Sequence, residues 1–432
     1  MMRDGKHISY TIRKPLKEGQ ITFQQWLMRL DGTERMLLVA DTVTNRPDAQ
    51  FNNDFSPDEK YLAWVRNFPD AYSEIIIKNL STGEERQLSF DKKTAYGPHW
   101  TYNDYIVYSS DRGGNANLWI IPAKGGEPVP LTRGSGPDVC VGISRDGRRL
   151  VYQEMAYTGQ IKHARLDDGV VQQLTTDESW RGIPSISTSG KTIVFSQVES
   201  QAYWSGTSDI YVMDRTEVST RKVTQTEGFK NRPFLSPDEK WITYSSLKKT
   251  EPVESTRVFV TELANSVPRL IGFGRQAWWF NNKEFTVSTG TSTYAARLDR
   301  DGYEKASQDS TLVYPVLGGK SVLLVDMRTG RQGLWISPST LDARSQAKGA
   351  RLLLKSLPLT FRIAQKANEV FYVNRGSSEL HRISLSDGKD RIVPHKFQGL
   401  RGSFDVTSDG KEIVYTESFS KAKYTVIDDL FK

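Results

Sequence analysis

The chain has 432 residues, more than one ordinary hydrophobic core accommodates, so several domains or a repeat array is expected. Apolar residues make up 37% and charged residues 25%, and no run approaches the ~18 apolar residues of a membrane-spanning helix. Lys and Arg number 58 against 51 Asp and Glu, a net +7 that hints at an anionic partner but is too sparse for a nucleic-acid face. The single cysteine, Cys140 in the run VCVGI, excludes an internal disulfide framework and a cysteine-based zinc cluster, and it reads as a small core residue.

In chain order, short runs rich in Val, Ile, Tyr and Trp alternate with Gly, Asn, Asp and Pro, the pattern of strands and tight turns. A first unit holds HISYT, QWLMRL and RMLLVA. After it, a turn with a small hydroxyl residue followed by a β-run recurs every 40–45 residues or so. It is Ser56-Pro57-Asp58-Glu59 before YLAWV, and Ser144-Arg145-Asp146-Gly147 before RLVYQ. It returns as Thr188-Ser189-Gly190 before TIVFS, Ser236-Pro237-Asp238-Glu239 before WITYS, and Ser408-Asp409-Gly410 before EIVYT. Pro presets φ and Gly accepts the left-handed position, so these are hairpin turns. Second runs follow (EIIIKNL, NLWIIPA, QIKHARL, DIYVMDR, RVFVTEL), then closing segments such as RQLS and PLTR.

Three degenerate units follow Trp278, and a last one holds EIVYT and YTVIDD. The fold class is therefore an all-β propeller of four-stranded antiparallel blades, about ten units, in one large ring or two. Well-formed repeats occupy residues 1–272 and degenerate ones 273–432, and a seam between rings is expected after Phe273. The first unit lacks an innermost strand before Asp4 and the last a closing strand after Val426. Either the N-terminal residues complete the last blade or the chain is the C-terminal piece of a longer array; the second is the favoured expectation, because no spare strand precedes Asp4. Its first residues carry no apolar leader, which gives a cytoplasmic default, or a periplasmic or extracytoplasmic address if the chain is part of a longer protein. Residues 71–73, 199–208 and 248–255 lengthen loops, and 339–350 read as an insertion.

The Ser-Pro-Asp turns, the run IVYSSDRGGNANLWII and the terminal Leu-Thr pairs resemble the TolB-type, WD40-like propeller repeat of bacterial proteins. The ending SFDVTSDGKEIVYTESFSKAKYTVIDDLF resembles the last blade of propellers fused behind bacterial sensor kinases or winged-helix regulators. That resemblance implies a sensing or interaction domain. It brings no catalytic residue, since the family motif is structural.

The residues themselves offer no GxSxG elbow and no helix-borne phosphate loop. The five histidines fall at unlike positions of their units, so no metal site and no cofactor is expected. Segments that enter the innermost strands should line the axial mouth. They carry His99, Asp138, Trp180, Arg181, Lys230, Arg232, Arg275, Trp278, Arg362 and Arg401. Cations between low-dielectric walls attract anions, and Arg also stacks on rings. One reading is a non-catalytic scaffold whose basic mouth takes an acidic peptide, a protein or an anionic ligand. The other is that these are scattered charges paired with nearby carboxylates. An enzyme acting on carbohydrate or peptide is the competing class. It would need polar catalytic groups converging on the axis.

Overall fold

In the computed structural model the described residues are all but 1, 3, 17–19, 45–50, 69–71, 135, 145–147, 178, 199–206, 226–227, 249–250, 252, 308–309, 317–320, 339–348, 401–402 and 431–432. Arg401, the turn at Arg145-Asp146-Gly147 and most of the expected insertion at 339–350 and of the loop at 199–208 therefore lie outside the described residues, as does the side chain of Cys140.

The hairpin turns form as the sequence dictates. Ser56 Oγ accepts the Tyr61 N–H at 3.0 Å and donates to Asp58 Oδ1 at 2.6 Å. Ser236 repeats both bonds with Trp241 and Asp238, and Thr407 repeats them with Glu412 and Asp409. The left-handed residue of the turn is Glu59 or Glu239 (φ 59° and 60°), or Gly190 or Gly410. Each hydroxyl thus closes a turn that would otherwise leave an N–H unpaired.

The described residues form ten blades in two groups. The first group is an arc of four. Its blades are the three strands His7–Pro15, Gln20–Arg29 and Met36–Thr44, then sheets spanning residues 53–87 and 95–130, then a blade begun by Asp138–Ile143. The second group is a ring of six, five of whose blades span residues 180–222, 229–273, 276–305, 311–354 and 360–392.

Two strands of 16 residues join the groups: Leu150–Arg165 and Glu412–Ile427 pair antiparallel along their whole length without a register shift. One half of this ribbon pairs with Asp138–Ile143 and completes the arc. In the other half, Phe404–Val406 and Val171–Gln173 flank the ribbon and make the sixth blade of the ring. The closing strands of the last repeat thus come from residues 160–173. Runs that read as separate hairpin arms, RLVYQ with QIKHARL and EIVYT with YTVIDD, are continuous strands. The expected seam at Phe273 falls between two blades of the same ring, at the end of Pro268–Phe273 and before Gln276–Trp279.

Gly159 sits where the ribbon passes from arc to ring. A Cβ there would come within 2.3 Å of the Arg181 carbonyl oxygen, so only glycine lets the two strands approach.

Apolar side chains from facing blades interdigitate around both groups. In the arc, Phe23 and Val39 meet Trp64 and Ile76, and Ile75 meets Ile106 and Tyr108. In the ring, Ile161 and Val414 meet Phe195, and Val194 meets Tyr244. Phe371 and Val373 meet Phe404 and Tyr415, which closes the circle. The core therefore lies between blades, and the axis is left to the innermost strands.

Candidate anion-binding site at the ring axis

The innermost strands of three blades share a device set by one proline. Before Pro98, Pro184 and Pro233 stand Gly97, Ile183 and Arg232, all in the left-handed region (φ 60°, 52° and 52°). At each, the pairing with the next strand skips a residue. Non-glycine residues in this region cost on the order of 1–3 kcal/mol and persist only where the surroundings impose them. The bulge reorients the side chains that follow it. Lys230 and Arg181 precede it and turn into the blade. Arg232 sits on it and borders the axial cavity.

That cavity measures about 530 Å3 and is bordered by Arg232, Arg275, Arg362 and Arg375, with no carboxylate among its described lining residues. Arg232 Nη1 donates to Gln276 Oε1 at 2.8 Å, and Gln276 Nε2 donates to the Tyr314 hydroxyl at 3.3 Å. Burial holds the Tyr314 phenol up at about 12, so it stays neutral. Arg362 is 7% exposed and lies 5.3, 5.5 and 5.8 Å from the ring centres of Trp278, Phe234 and Phe404. Trp278 is in turn met edge-on by Tyr314 at 5.1 Å. Desolvated guanidinium–ring contacts of this kind contribute about 2 kcal/mol each.

Asp405 backs the cavity. Its Oδ1 stands 3.6 Å from Arg362 Nε, and its oxygens accept the N–H groups of Ile186 and Val406 at 3.0 and 2.9 Å. Burial raises its pKa, opposed first by the Arg362 charge. Burial also lowers the pKa of both Arg232 and Arg362, though a guanidinium remains charged at any physiological pH. One buried carboxylate, paired with Arg362 alone, stands behind a mouth bordered by four arginines, and the field in the mouth is positive.

The residues expected at the mouth separate in the structure. Arg232, Arg275, Trp278 and Arg362 come together at this cavity. Arg181 is buried against Asp177 and Gln197, and Lys230, 1% exposed, reaches Asp209 at 3.0 Å and the carbonyls of Ser208 and Gly228. Trp180 stands at the entry of its strand against Gly182, where a Cβ would come within 2.3 Å of the indole.

His99 and Asp138 belong to the arc. His99 Nδ1 lies 3.8 Å from Asp54 Oδ2 beside a second axial cavity of about 440 Å3, and Asp138 is buried near Glu154. Arg375, Tyr314 and Asp405 were missed. Arg375 lies in the turn after Glu369–Val373, where a search of strand-entering segments does not look. Among the described residues no three His, Cys, Asp or Glu are grouped as metal ligands, and no helix is long and apolar enough to cross a membrane.

The family model described as "TolB beta propeller domain" matches residues 6–205. Over those residues the chain is similar to TolB-type propeller domains. The match runs from the first strand of the arc through the first two strands of the ring blade that spans 180–222. A curated relative, a protein TolB homolog of Chlorobium luteolum, is 26% identical over 185 residues, 41% of this chain and 38% of that protein. The chain thus matches well under half the length of this TolB relative.

Solved structures similar to the chain include TolB from Acinetobacter baumannii at 15% identity, covering 67% of this chain and 76% of that one with a TM-score of 0.27. An oligogalacturonate lyase from Vibrio parahaemolyticus shares 13% identity over 85% of this chain and 96% of that one, with a TM-score of 0.37. The tricorn protease shares 14% over 97% and 43%, with a TM-score of 0.31.

Proposed function

We propose that the six-bladed ring of this TolB-type protein is a binding module whose axial mouth takes an anionic group, most simply an acidic segment of a protein partner. One observation carries the reading: four arginines border the mouth and no described carboxylate lines it. The mouth also has apolar walls, Leu312, Leu357 and Pro358, beside Trp278 and Phe361. They lower the local dielectric and strengthen attraction to the anion. The role is non-catalytic, a sensory or interaction module in which a rigid ring presents fixed cations.

The test is binding of hexaglutamate by calorimetry, with hexaglutamine as control. Arg232→Gly combined with Arg275→Ala weakens hexaglutamate binding at least tenfold, and raising salt weakens it in the parent protein. Arg232→Gly alone leaves stability within about 1 kcal/mol of the parent, because glycine accepts φ 52° without strain. Equal affinity of parent and double variant would remove the reading.

A further inference from the structure

The last blade of the arc is one strand short. Among the described residues six sheets are separate four-stranded blades. This one has three strands: Asp138–Ile143, the first half of Leu150–Arg165 and the second half of Glu412–Ile427. Among the described residues nothing pairs with the outer edge of 420–426.

The direction of the backbone groups on that edge follows from parity. Upstream in the same strand, the Thr416 N–H and the Glu412 C=O point to the side of Phe404–Val406, reaching Ser403 and Thr407. In an antiparallel ladder N–H and C=O of one residue point the same way and alternate along the strand. Pairing with Leu150–Arg165 continues to Ile427 without a shift, so Ser420, Ala422, Tyr424 and Val426 keep that orientation. The partner strand agrees: the Met155 N–H, opposite Ala422, points away to the Pro137 carbonyl. Four residues thus offer donor and acceptor groups to an empty side.

Beside this edge lies a cavity of about 870 Å3, bordered by Leu131, Arg133, Tyr152, Lys421, Lys423 and Ile427. Lys423 and Ile427 sit opposite Glu154 and Leu150 and share one face of the sheet with Tyr152. A strand laid along 420–426 would drop alternate side chains over this hollow. The charge around it is uneven. Asp138 is 4% exposed and Glu154 is engaged by Lys423 at 3.5 Å, so among the described lining residues no further acid is left for Arg133 and Lys421.

We propose that residues 420–426 form a docking edge, separate from the ring mouth, that takes an extended acidic segment of a partner protein as the missing fourth strand. Main-chain hydrogen bonds supply the register, and alternate carboxylates of the guest meet Arg133 and Lys421, with Lys423 adding to the positive field.

The edge itself gives a selective test. The Ala422 N–H does not serve the ladder with Leu150–Arg165, so Ala422→Pro removes an outward donor and keeps the internal pairing. A fluorescent decapeptide alternating Val and Glu is titrated into the parent chain and followed by anisotropy. Amide exchange at residues 420–426 is read in parallel, and a Val-Lys decapeptide serves as control.

Expected are saturable binding of the Val-Glu peptide, slowed exchange at Ala422 and Tyr424, and at least tenfold loss in Ala422→Pro with unchanged melting. Lys421→Glu with Lys423→Glu weakens binding similarly, whereas the ring variant Arg232→Gly does not. The proposal is overturned by absence of binding, by equal binding of the Val-Lys peptide, or by affinity that Ala422→Pro leaves intact. A concentration-dependent dimer that Ala422→Pro dissociates would assign the edge to a second copy of the chain and overturn it too.

Discussion

The arc and the ring tie blade to blade with the same carboxylate and differ in what stands beside it. In the arc, Asp54 accepts the N–H groups of Phe55 and Trp100 at 2.9 Å each; in the ring, Asp405 accepts those of Val406 and Ile186. Each carboxylate therefore reaches from its own innermost strand to the next. Beside Asp54 stands His99, its side chain 30% exposed, and beside Asp405 stands Arg362, buried among three rings. The Asp405 side chain is 13% exposed against 38% for Asp54, and a carboxylate buried that far needs a permanent cation. The open arc leaves its clasp wet enough for a histidine to suffice.

The largest expected effect breaks this difference directly. Arg362→Met leaves Asp405 buried without a counter-charge and destabilises the ring by about 3–5 kcal/mol, as loss of one member of a buried pair does. Amide exchange at Ile186 and Val406 reports it, while Leu62 to Val65 in the arc keep their protection. Adding Asp405→Asn recovers most of the loss, since the orphaned charge is gone. His99→Gln, the matching change in the arc, costs less than about 1 kcal/mol.

A smaller effect sharpens the comparison at the pre-proline position. Gly97 in the arc and Arg232 in the ring hold the same left-handed conformation. Gly97→Ala should cost the arc about 1 kcal/mol in chemical denaturation, the opposite sign to Arg232→Gly.

The smallest effect is an acid response. Hydrogen bonding to Arg181 holds the Asp177 carboxyl at about 2, below its ordinary 3.8. A lowered folded pKa stabilises the protein above the unfolded value, and that contribution is lost as pH falls from about 4 towards 2. Asp54 and Asp405 carry the opposite sign. Burial raises them, so their cost at neutral pH fades on acidification. Asp177→Asn should therefore flatten the fall in melting temperature below pH 4. Its exposure keeps the change below about 1 kcal/mol.

The repeat was legible in the sequence because its turns are chemical. Ser56 and Ser236 with their aspartates write a hairpin that the structure returns atom for atom. The seam was not. Residues 153–160 and 417–423 look like loops between two runs, yet they hold no Pro, Asn or Asp, and nothing in them reverses the chain. Only the partner 250 or so residues away makes each a single strand, and local pattern does not carry that information.

The site divided along the same line. Arg181, Lys230 and Arg232 look alike as cations before a proline, but a one-residue bulge at Ile183 and Arg232 decides which turn inward. Lys230 occupies the ladder position that Ala95 fills in the arc, and both lie in the core. Arg362 stacks as its chemistry suggests, but its carboxylate, Asp405, stands in the strand before the last turn motif, where local pattern does not link it to Arg362.

The ribbon of Leu150–Arg165 with Glu412–Ile427 has a mechanical consequence. At ~3.3 Å per residue, its 16 pairs make a girder of about 50 Å embedded in both bodies at once. A swivel between them would shear hydrogen bonds on each side, so the ribbon opposes it. During synthesis neither body is finished until residues 404–427 have joined the ribbon, so the two mature together.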